Sequence, residues 1–339
     1  MNSAAQDTIF VAGQDTTASP FRALLQSGSI RRSEWVILSF LVYAVALGAL
    51  LPVPPSTRHL VTLINVAILA AYPVLIVADR AKSTIAFGLA RDAVSLALVV
   101  LAYREMGWFA QPHPHHALEQ SWVTWDRMVL GGGVRAAIES FGPVIPSILE
   151  IAYALVYALA PFAVAMLYAY GRREMVDEFL FVFAVGVLLC YAQFPFWPSD
   201  PPRVVFLSQD LPSYGTAFRR FNLWMLGNYG IHTSVFPSAH VAGAFAAAFG
   251  AFRALPEHRW VSRFLLAIAS LIAIATVYGR YHYLADAVAG LLVALVALSV
   301  RRVPGEKASD GSAVVTVRLK DESMAHEFST PLPAPNTSS

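Results

Sequence analysis

Two ionisable side chains at the start of the last apolar segment have the types and the spacing for chemistry. In "TVYGRYHYLADAVAG", His282 and Asp286 are four residues apart, and Arg280 comes just before them. Positions i and i+4 of a helix share one face, so Asp286 can hold one ring nitrogen of His282 and raise the basicity of the other. A histidine held in this way can act as a nucleophile or a general base. An aspartate that only capped its own helix would not explain the neighbouring histidine and arginine.

A second histidine stands at the start of another apolar segment. In "HTSVFPSAHVAGAFAAAF", Pro237 can open a helix whose first turn carries Ser238 and His240. The free N–H groups and partial positive charge of a helix N-terminus favour the binding of phosphate. A histidine at this place can also be a simple interfacial residue, so the stretch does not decide the question alone.

The third stretch, "FPFWPSDPPRVVF", presents Arg203 in a loop whose backbone is fixed by prolines. Such loops often follow membrane spans, and an interfacial arginine can simply meet lipid headgroups. Taken together, however, two histidines, a carboxylate, arginines and a helix N-terminus suit phosphoryl transfer. One histidine attacks phosphorus, the other protonates the leaving oxygen, and the cations stabilise the charge. This chemistry requires no metal and no cofactor.

The composition predicts that membrane helices hold these residues in place. Of the 339 residues, 57% are hydrophobic and only 14% are charged, whereas soluble domains carry about 25% charged residues. Eight apolar runs approach the length that crosses a bilayer. They cover residues 35–53, 59–78, 85–103, 144–169, 179–196, 239–252, 264–278 and 284–300. The sequence therefore predicts an all-α, polytopic membrane protein with about eight transmembrane helices, whose partners are membrane lipids and not nucleic acid.

The loop charges predict the orientation. With the N-terminus inside, thirteen Lys and Arg residues fall on the inner side and eight on the outer side. The positive-inside tendency then places both termini in the cytoplasm and the three stretches on the periplasmic, exterior or luminal face of a plasma or inner membrane. We expect a cytoplasmic tail at 1–33, a membrane-embedded catalytic domain at 34–302 with its motifs in 194–290, and a disordered cytoplasmic tail at 303–339.

Some weaker signals have simpler interpretations. The "PHPHH" stretch at 112–116 could suggest a metal site, but no neighbouring span offers an obvious set of carboxylate ligands, so we predict interfacial histidines and no metal. Trp122 and Trp125 indicate an interfacial belt or an amphipathic segment on the outer leaflet. Asp92 is expected to pair with another helix, and Glu150 is not expected to line an acceptor pocket.

The three stretches resemble the signature motifs of a known family. "PPR", "FPSAH" and "GRYHYLADAVAG" are similar to those of the type 2 phosphatidic acid phosphatase superfamily of membrane enzymes, over roughly the fourth to eighth spans. The "PPR" form, the pair His282–Tyr283 and the stretch "WDRMVLG" at 125–131 resemble the branch that contains inositol phosphorylceramide synthases. The resemblance implies a six-helix phosphatase-type core.

The resemblance also implies roles for the residues. His282 matches the nucleophile that forms a phosphohistidine, Asp286 its activating partner, and His240 the general acid. The matching phosphate-binding positions are Ser238, Arg203 and Arg280.

The chain departs from the phosphatase pattern at three positions. Phe196 stands where the first motif has lysine, Ala239 replaces a glycine, and Thr276 stands where the third motif has arginine. These changes are compatible with the synthase-like branch, whose substrates are phosphodiesters.

These observations predict an enzyme that cleaves or transfers a phosphate-linked lipid headgroup. The substrate would be a phospholipid or a lipid phosphate. Water as the acceptor would make the protein a phosphatase, whereas an alcohol such as inositol or a sphingoid lipid would make it a transferase in sphingolipid metabolism. The alternative is a non-catalytic lipid carrier or scaffold that retained the fold.

Overall fold

The computed structural model of the protein describes residues 30–82, 84–109, 113, 115–231, 233 and 235–300. Within these ranges the regular secondary structure is entirely helical, which confirms the predicted all-α class. Most of the predicted N-terminal tail and all of the predicted C-terminal tail lie outside the described residues. Helix α1 begins at Arg32, inside the segment predicted as the N-terminal tail.

Thirteen α-helices are found in the described ranges. They are α1 (Arg32–Leu50), α2 (Pro55–Lys82), α3 (Ile85–Trp108), α4 (Ala117–Val129), α5 (Arg135–Glu139), α6 (Val144–Ala154), α7 (Val156–Ala169), α8 (Val176–Tyr191), α9 (Pro202–Val205), α10 (Ala217–Tyr229), α11 (Ala239–Ala254), α12 (Arg259–Tyr278) and α13 (Leu284–Ser299). A π-helical turn, Leu130–Val134, joins α4 to α5.

Several of these helices are of the membrane type. Helices α1, α2, α3 and α12 are long and apolar enough to cross a bilayer. The segment from α4 to α5, together with α6, gives a fifth candidate if its bend of 108° is one broken span. This composition is consistent with a membrane protein. The eight predicted runs each coincide with helical structure, but α8 and α11 have only 16 residues, about 24 Å, against a hydrocarbon core of about 30 Å. Eight spans are therefore not confirmed.

Helix α11 lies at the centre of the bundle, packed against α8, α12 and α13. Its sequence is almost entirely alanine, glycine and phenylalanine, and most of its side chains are buried. Small side chains let neighbouring backbones approach closely, which is how helices associate where lipid gives no hydrophobic driving force. The first turn of α11 carries His240, so this packing holds the histidine inside the bundle.

A group of ion pairs stabilises the opposite end of the bundle. The buried carboxylate of Asp92 pairs with Arg31 and accepts a hydrogen bond of 2.7 Å from the Tyr168 hydroxyl. Asp92 therefore pairs with other helices, as the sequence predicts. Its neighbour Arg91 is also buried and pairs with Glu34 of α1. A buried charge is tolerated only with such partners, so these side chains join α1, α3 and α7.

One glycine allows α13 to reach the N-terminus of α11. A Cβ atom on Gly290 would lie 2.4 Å from the carbonyl oxygen of Ser238 and 3.3 Å from the backbone nitrogen of Ala242. No side chain fits there without moving one of the two helices. The close approach matters because Asp286 lies one turn earlier on α13.

We expect Gly290→Ala to destabilise the protein and lower its activity. The added methyl group must push α13 away from α11, and overpacking of this kind costs about 1–3 kcal/mol. Thermal unfolding in detergent should show a lower midpoint than wild type. Gly227→Ala is the matched control, because a Cβ at this exposed position in α10 meets no atom within 4 Å. Equal unfolding midpoints for the two variants would contradict this account of Gly290.

Candidate active site

The predicted site residues of the first and second stretches meet where α11 and α13 begin and α12 ends. The backbone N–H of Ser238 donates to the carbonyl oxygen of Asp286 at 3.0 Å. This hydrogen bond and the contact at Gly290 join the two helix starts directly. Two stretches separated by about forty residues of sequence thus form one structural unit.

The chain between α12 and α13 folds back in a tight turn. The carbonyl oxygen of Thr276 accepts hydrogen bonds from the backbone N–H groups of Tyr281 and His282, at 2.9 and 3.0 Å. Arg280 has a φ of 61°, in the left-handed region that is rare for residues other than glycine. Backbone strain of this kind concentrates at functional sites. Here it turns His282 back into the protein.

His282 contacts Asp286, but not along a helix face. Helix α13 begins at Leu284, so His282 lies in the turn before it. The Nδ1 atom of His282 is 3.3 Å from Oδ2 of Asp286. The same oxygen accepts the backbone N–H of Tyr283 at 2.9 Å. Asp286 therefore both caps α13 and contacts the histidine.

The imidazole of His282 is neutral in this environment. Burial and the nearby charge of Arg203 lower its pKa to about 3, although a hydrogen bond with the backbone of Val235 acts in the opposite direction. Burial disfavours the charged form of a histidine because the interior solvates charge poorly. With the Nδ1 proton directed at Asp286, Nε2 carries the lone pair that a nucleophile needs.

His240 lies beside His282, with their ring centroids 5.5 Å apart. Its ring stacks on Tyr153 at 5.0 Å with an angle of 9° between the planes. The Nε2 atom of His240 is buried and has no hydrogen-bond partner among the described residues. A buried polar atom without a partner is unusual in a native protein, and this one is available to a ligand.

Arg203 is brought to the same place from the loop after α8. Its backbone N–H donates to the carbonyl oxygen of Arg280 at 3.2 Å, and its guanidinium lies 5.6 Å from the centre of the Tyr281 ring. Burial lowers the pKa of Arg203, but a guanidinium stays charged at neutral pH. The fold thus places a cation beside both histidines.

A cavity of about 30 Å³ lies between these groups. His240, His282 and Arg203 line it together with Tyr153 and Tyr281. A larger, apolar cavity of about 190 Å³ shares the side chain of His240 and is lined mainly by residues of α3, α7, α8 and α11. A polar site therefore adjoins a larger apolar cavity, with His240 at the junction.

Ser238 and Arg280 lie behind the cavity rather than in it. The Ser238 hydroxyl caps α11 by accepting the N–H of Val241 at 3.4 Å, and the side chain is fully buried. The Arg280 guanidinium is also fully buried and pairs with Asp126 at 2.5 Å. Of the six predicted site residues, the structure places His282, His240 and Arg203 around the cavity, with Asp286 directly behind His282.

The partner of Arg280 comes from the amphipathic helix α4. The other oxygen of Asp126 accepts the backbone N–H of Leu284 at 2.8 Å, so Asp126 also caps α13. On the same helix, Trp122 stacks on Phe236 at 5.1 Å, while Trp125 is half exposed. Helix α4 thus packs on the site instead of only meeting lipid. The motif at 125–131 contained this aspartate, but its partner could not be read from the sequence.

Sequence reasoning also missed a network that supports the turn. The Tyr281 hydroxyl donates to Glu150 at 2.6 Å. Arg219 pairs with Glu150 at 3.1 Å and donates to the carbonyl oxygen of Gly279 at 3.1 Å. Asn222 donates to Glu150 at 2.7 Å. Glu150 is therefore a buried support for the turn and does not line the cavity. An isolated carboxylate within a span was the signal that could have indicated it.

These features define a helical protein of the membrane type with a histidine-based candidate site that opens beside an apolar cavity. The family comparison agrees with this class. A model of the PAP2 superfamily matches residues 124–300, more than half of the chain, and the chain belongs to that superfamily. Membership suggests a lipid phosphatase-type function. It confirms the predicted superfamily, whereas the inositol phosphorylceramide synthase-like branch is not confirmed.

A curated relative supports the same assignment. The chain is 30% identical over 129 residues to a PA-phosphatase related-family protein from Dictyostelium discoideum. The aligned region covers 36% of this chain and 21% of the relative, so the chain spans about a fifth of the length of the protein that it matches. No solved structure matches the chain.

Proposed function

We propose that this protein is an integral membrane enzyme that cleaves or transfers a phosphate-linked lipid headgroup. The observation that carries the proposal is the junction at His240, where a small polar cavity with two histidines and an arginine adjoins an apolar cavity. A lipid phosphate has the same two parts, a charged head and an apolar chain. Family membership supports this class of substrate.

The proposed reaction begins at Nε2 of His282. This atom attacks phosphorus, so that an N–P bond forms while the bond from phosphorus to the leaving oxygen breaks. His240, protonated once the substrate phosphate is bound, gives its proton to the leaving oxygen. Arg203 stabilises the charge on the phosphoryl oxygens. Water or an alcohol, deprotonated by His240, then attacks the phosphohistidine and releases His282.

Two cationic residues of the family motifs are replaced in this chain, and this favours a phosphodiester substrate. The chain has Phe196 and Thr276 where the resemblance expects lysine and arginine, and Arg280 pairs with Asp126 instead of lining the cavity. Among the described residues around the cavity, Arg203 is the arginine that remains. A phosphodiester carries one negative charge and a monoester nearly two at neutral pH. Headgroup transfer of the inositol phosphorylceramide synthase type is therefore the finer form of the proposal.

The experiment compares two substrates with detergent-purified protein. A lipid phosphate monoester is assayed for released inorganic phosphate, and a phosphodiester lipid with an added alcohol is assayed for headgroup transfer. Phosphate release would establish a phosphatase and remove the synthase-like form. Transfer without release would support that form. If neither reaction occurred, the non-catalytic carrier would replace the enzyme as the better account.

We also propose that both termini are cytoplasmic and that the site faces the opposite side. The charge distribution between loops supports this orientation. The single cysteine, Cys190, is buried, so a cysteine introduced elsewhere can be labelled selectively. In intact cells, a membrane-impermeant maleimide should label Leu211→Cys and not Glu257→Cys. The opposite pattern would reverse the orientation.

We expect Asp286→Asn to slow the reaction about 10²-fold without unfolding the protein. Asparagine keeps an oxygen that can accept the N–H of Tyr283, but it has no negative charge to stabilise the imidazolium character that develops on His282. The carboxylate partner of a metal-bound histidine is worth about 10- to 100-fold, and we expect a similar loss here because Asp286 also orients the ring of His282 and raises its basicity. The measurement is kcat beside the thermal midpoint. Full activity with an unchanged pH profile would contradict the assigned pairing.

A further inference from the structure

Two histidines and two carboxylates meet outside the cavity that holds His282. His113 and His116 come from the segment before α4, Glu119 from its first turn, and Asp200 from the loop that carries Arg203. The donor atoms of His113, His116 and Asp200 all lie within 4.8 Å of one another. In the sequence Glu119 follows His116 by three residues, and the fold adds Asp200 from a distant loop.

The spacing of these donors fits a small metal ion. Nε2 of His113 is 3.1 Å from Oε1 of Glu119 and 3.5 Å from Oδ2 of Asp200. Nδ1 of His116 is 3.4 Å from the same Glu119 oxygen. Zinc binds nitrogen and oxygen at 2.0–2.2 Å, so neighbouring ligands of a tetrahedral site are roughly 3.3–3.5 Å apart.

Glu119 accepts the backbone N–H of Asp200, and both carboxylates also face the ring nitrogen of His113. The one proton that a neutral His113 could place on Nε2 would face two carboxylate oxygens. Glu119 is 1% exposed, and its ion-pair partners among the described residues are the two histidines. A buried carboxylate needs compensating positive charge. A divalent cation would provide that charge while both imidazoles stay neutral.

We propose that His113, His116, Glu119 and Asp200 bind one zinc ion with a structural role. Imidazole nitrogen and carboxylate oxygen are ligands that zinc accepts, and four protein ligands close its coordination. His116 and Asp200 are partly exposed, which leaves a path for the ion. The backbone N–H of Asp200 donates to Glu119 at 3.1 Å and orients this ligand from outside the metal shell.

The zinc ion would fasten α4 to the loop that carries Arg203. Asp200 lies three residues before Arg203, and the carbonyl oxygen of Ser199 accepts the N–H of Val235 at 3.3 Å. Binding of the ion would therefore fix the position of the loop relative to α4, which itself packs on α13. The bound zinc takes no part in the chemistry at His282.

The test is the zinc content and thermal stability of the full chain purified in detergent. After removal of weakly bound metal, elemental analysis should find about one zinc per wild-type chain. After stripping with chelator, added micromolar zinc should raise the midpoint of thermal unfolding by about 5 °C or more. X-ray absorption should show nitrogen and oxygen ligands at about 2.0–2.1 Å and no sulfur.

Single substitutions distinguish a specific zinc site from nonspecific zinc binding. His116→Ala and Asp200→Asn should lose both the bound zinc and the shift in the unfolding midpoint. His115→Ala is the matched control, because this neighbouring histidine is exposed and lies outside the group. Three outcomes would overturn the proposal. His116→Ala could retain as much zinc as wild type, or His115→Ala could lose as much as His116→Ala. Wild type could also contain no zinc and show no shift in the unfolding midpoint when zinc is added. None of these readouts depends on the proposed enzymatic activity.

Discussion

Replacing His282 by alanine should abolish turnover, with a fall in kcat of at least about 10³-fold. The proposed covalent step needs the Nε2 lone pair, and among the described residues His282 is the histidine that Asp286 holds. Loss of a nucleophile removes nearly all of the catalysis that depends on it. The measurement is the rate of the reaction that wild type performs, together with acid-labile phosphate bound to the protein after brief exposure to labelled substrate. Wild type should carry that phosphate and His282→Ala should not.

A histidine at the other end of α12 is the control for this substitution. His258 lies just before α12, stacked on Tyr170, and the 20-residue helix separates it from the site by about 30 Å. His258→Ala should keep the activity of wild type. Activity of His282→Ala above about a tenth of wild type, at a comparable unfolding midpoint, would exclude His282 as the nucleophile.

Replacing His240 by alanine should lower kcat by about 10²- to 10⁴-fold for a substrate with an alkyl leaving group. General acid catalysis contributes this much when the leaving oxygen is a strong base. Because His282 keeps its contact with Asp286, the first step remains available to an activated substrate. In the rate of phosphohistidine formation, the deficit should therefore shrink for an aryl phosphate ester, whose leaving oxygen needs no proton.

The leaving-group comparison distinguishes an acid from a structural residue. His240 stacks on Tyr153, which stacks in turn on Tyr281 at 4.1 Å, so its loss could also disturb packing. A packing defect would slow both substrates equally. His240→Asn keeps a polar side chain and should show the same dependence on the leaving group. An equal loss in the rate of phosphohistidine formation from the alkyl and aryl substrates would exclude His240 as the general acid.

Local features of the chain were predictable from the sequence because they depend on neighbouring residues. Each long apolar run became helical where the spacing and composition predicted. The contact of His282 with Asp286 also follows from local geometry, although it forms across the start of α13 and not along its face. The order of the three motifs was sufficient to suggest the superfamily that the comparison confirms.

The contacts of the two motif arginines could not be predicted from neighbouring residues. Arg203 and Arg280 both occur in motif stretches, yet one faces the cavity and the other pairs with Asp126, 154 residues earlier in the chain. A long cation can reach in several directions, so its partner depends on which helices lie beside it. Likewise, Ser238 caps α11 because the start of α13 covers the space in front of it.

Composition and short spacing were enough to predict the helical class and the superfamily, and they singled out His282, Asp286 and His240 as candidates for the proposed chemistry. Helix packing was needed to show which cations face the cavity, that Glu150 supports the turn, and that Asp200 joins His113, His116 and Glu119. Tyr281 is 131 residues from Glu150 and Arg280 is 154 residues from Asp126, and Asp200 lies 87 residues after His113, so no local pattern encodes these contacts. The buried charges have partners only because the helices bring them together.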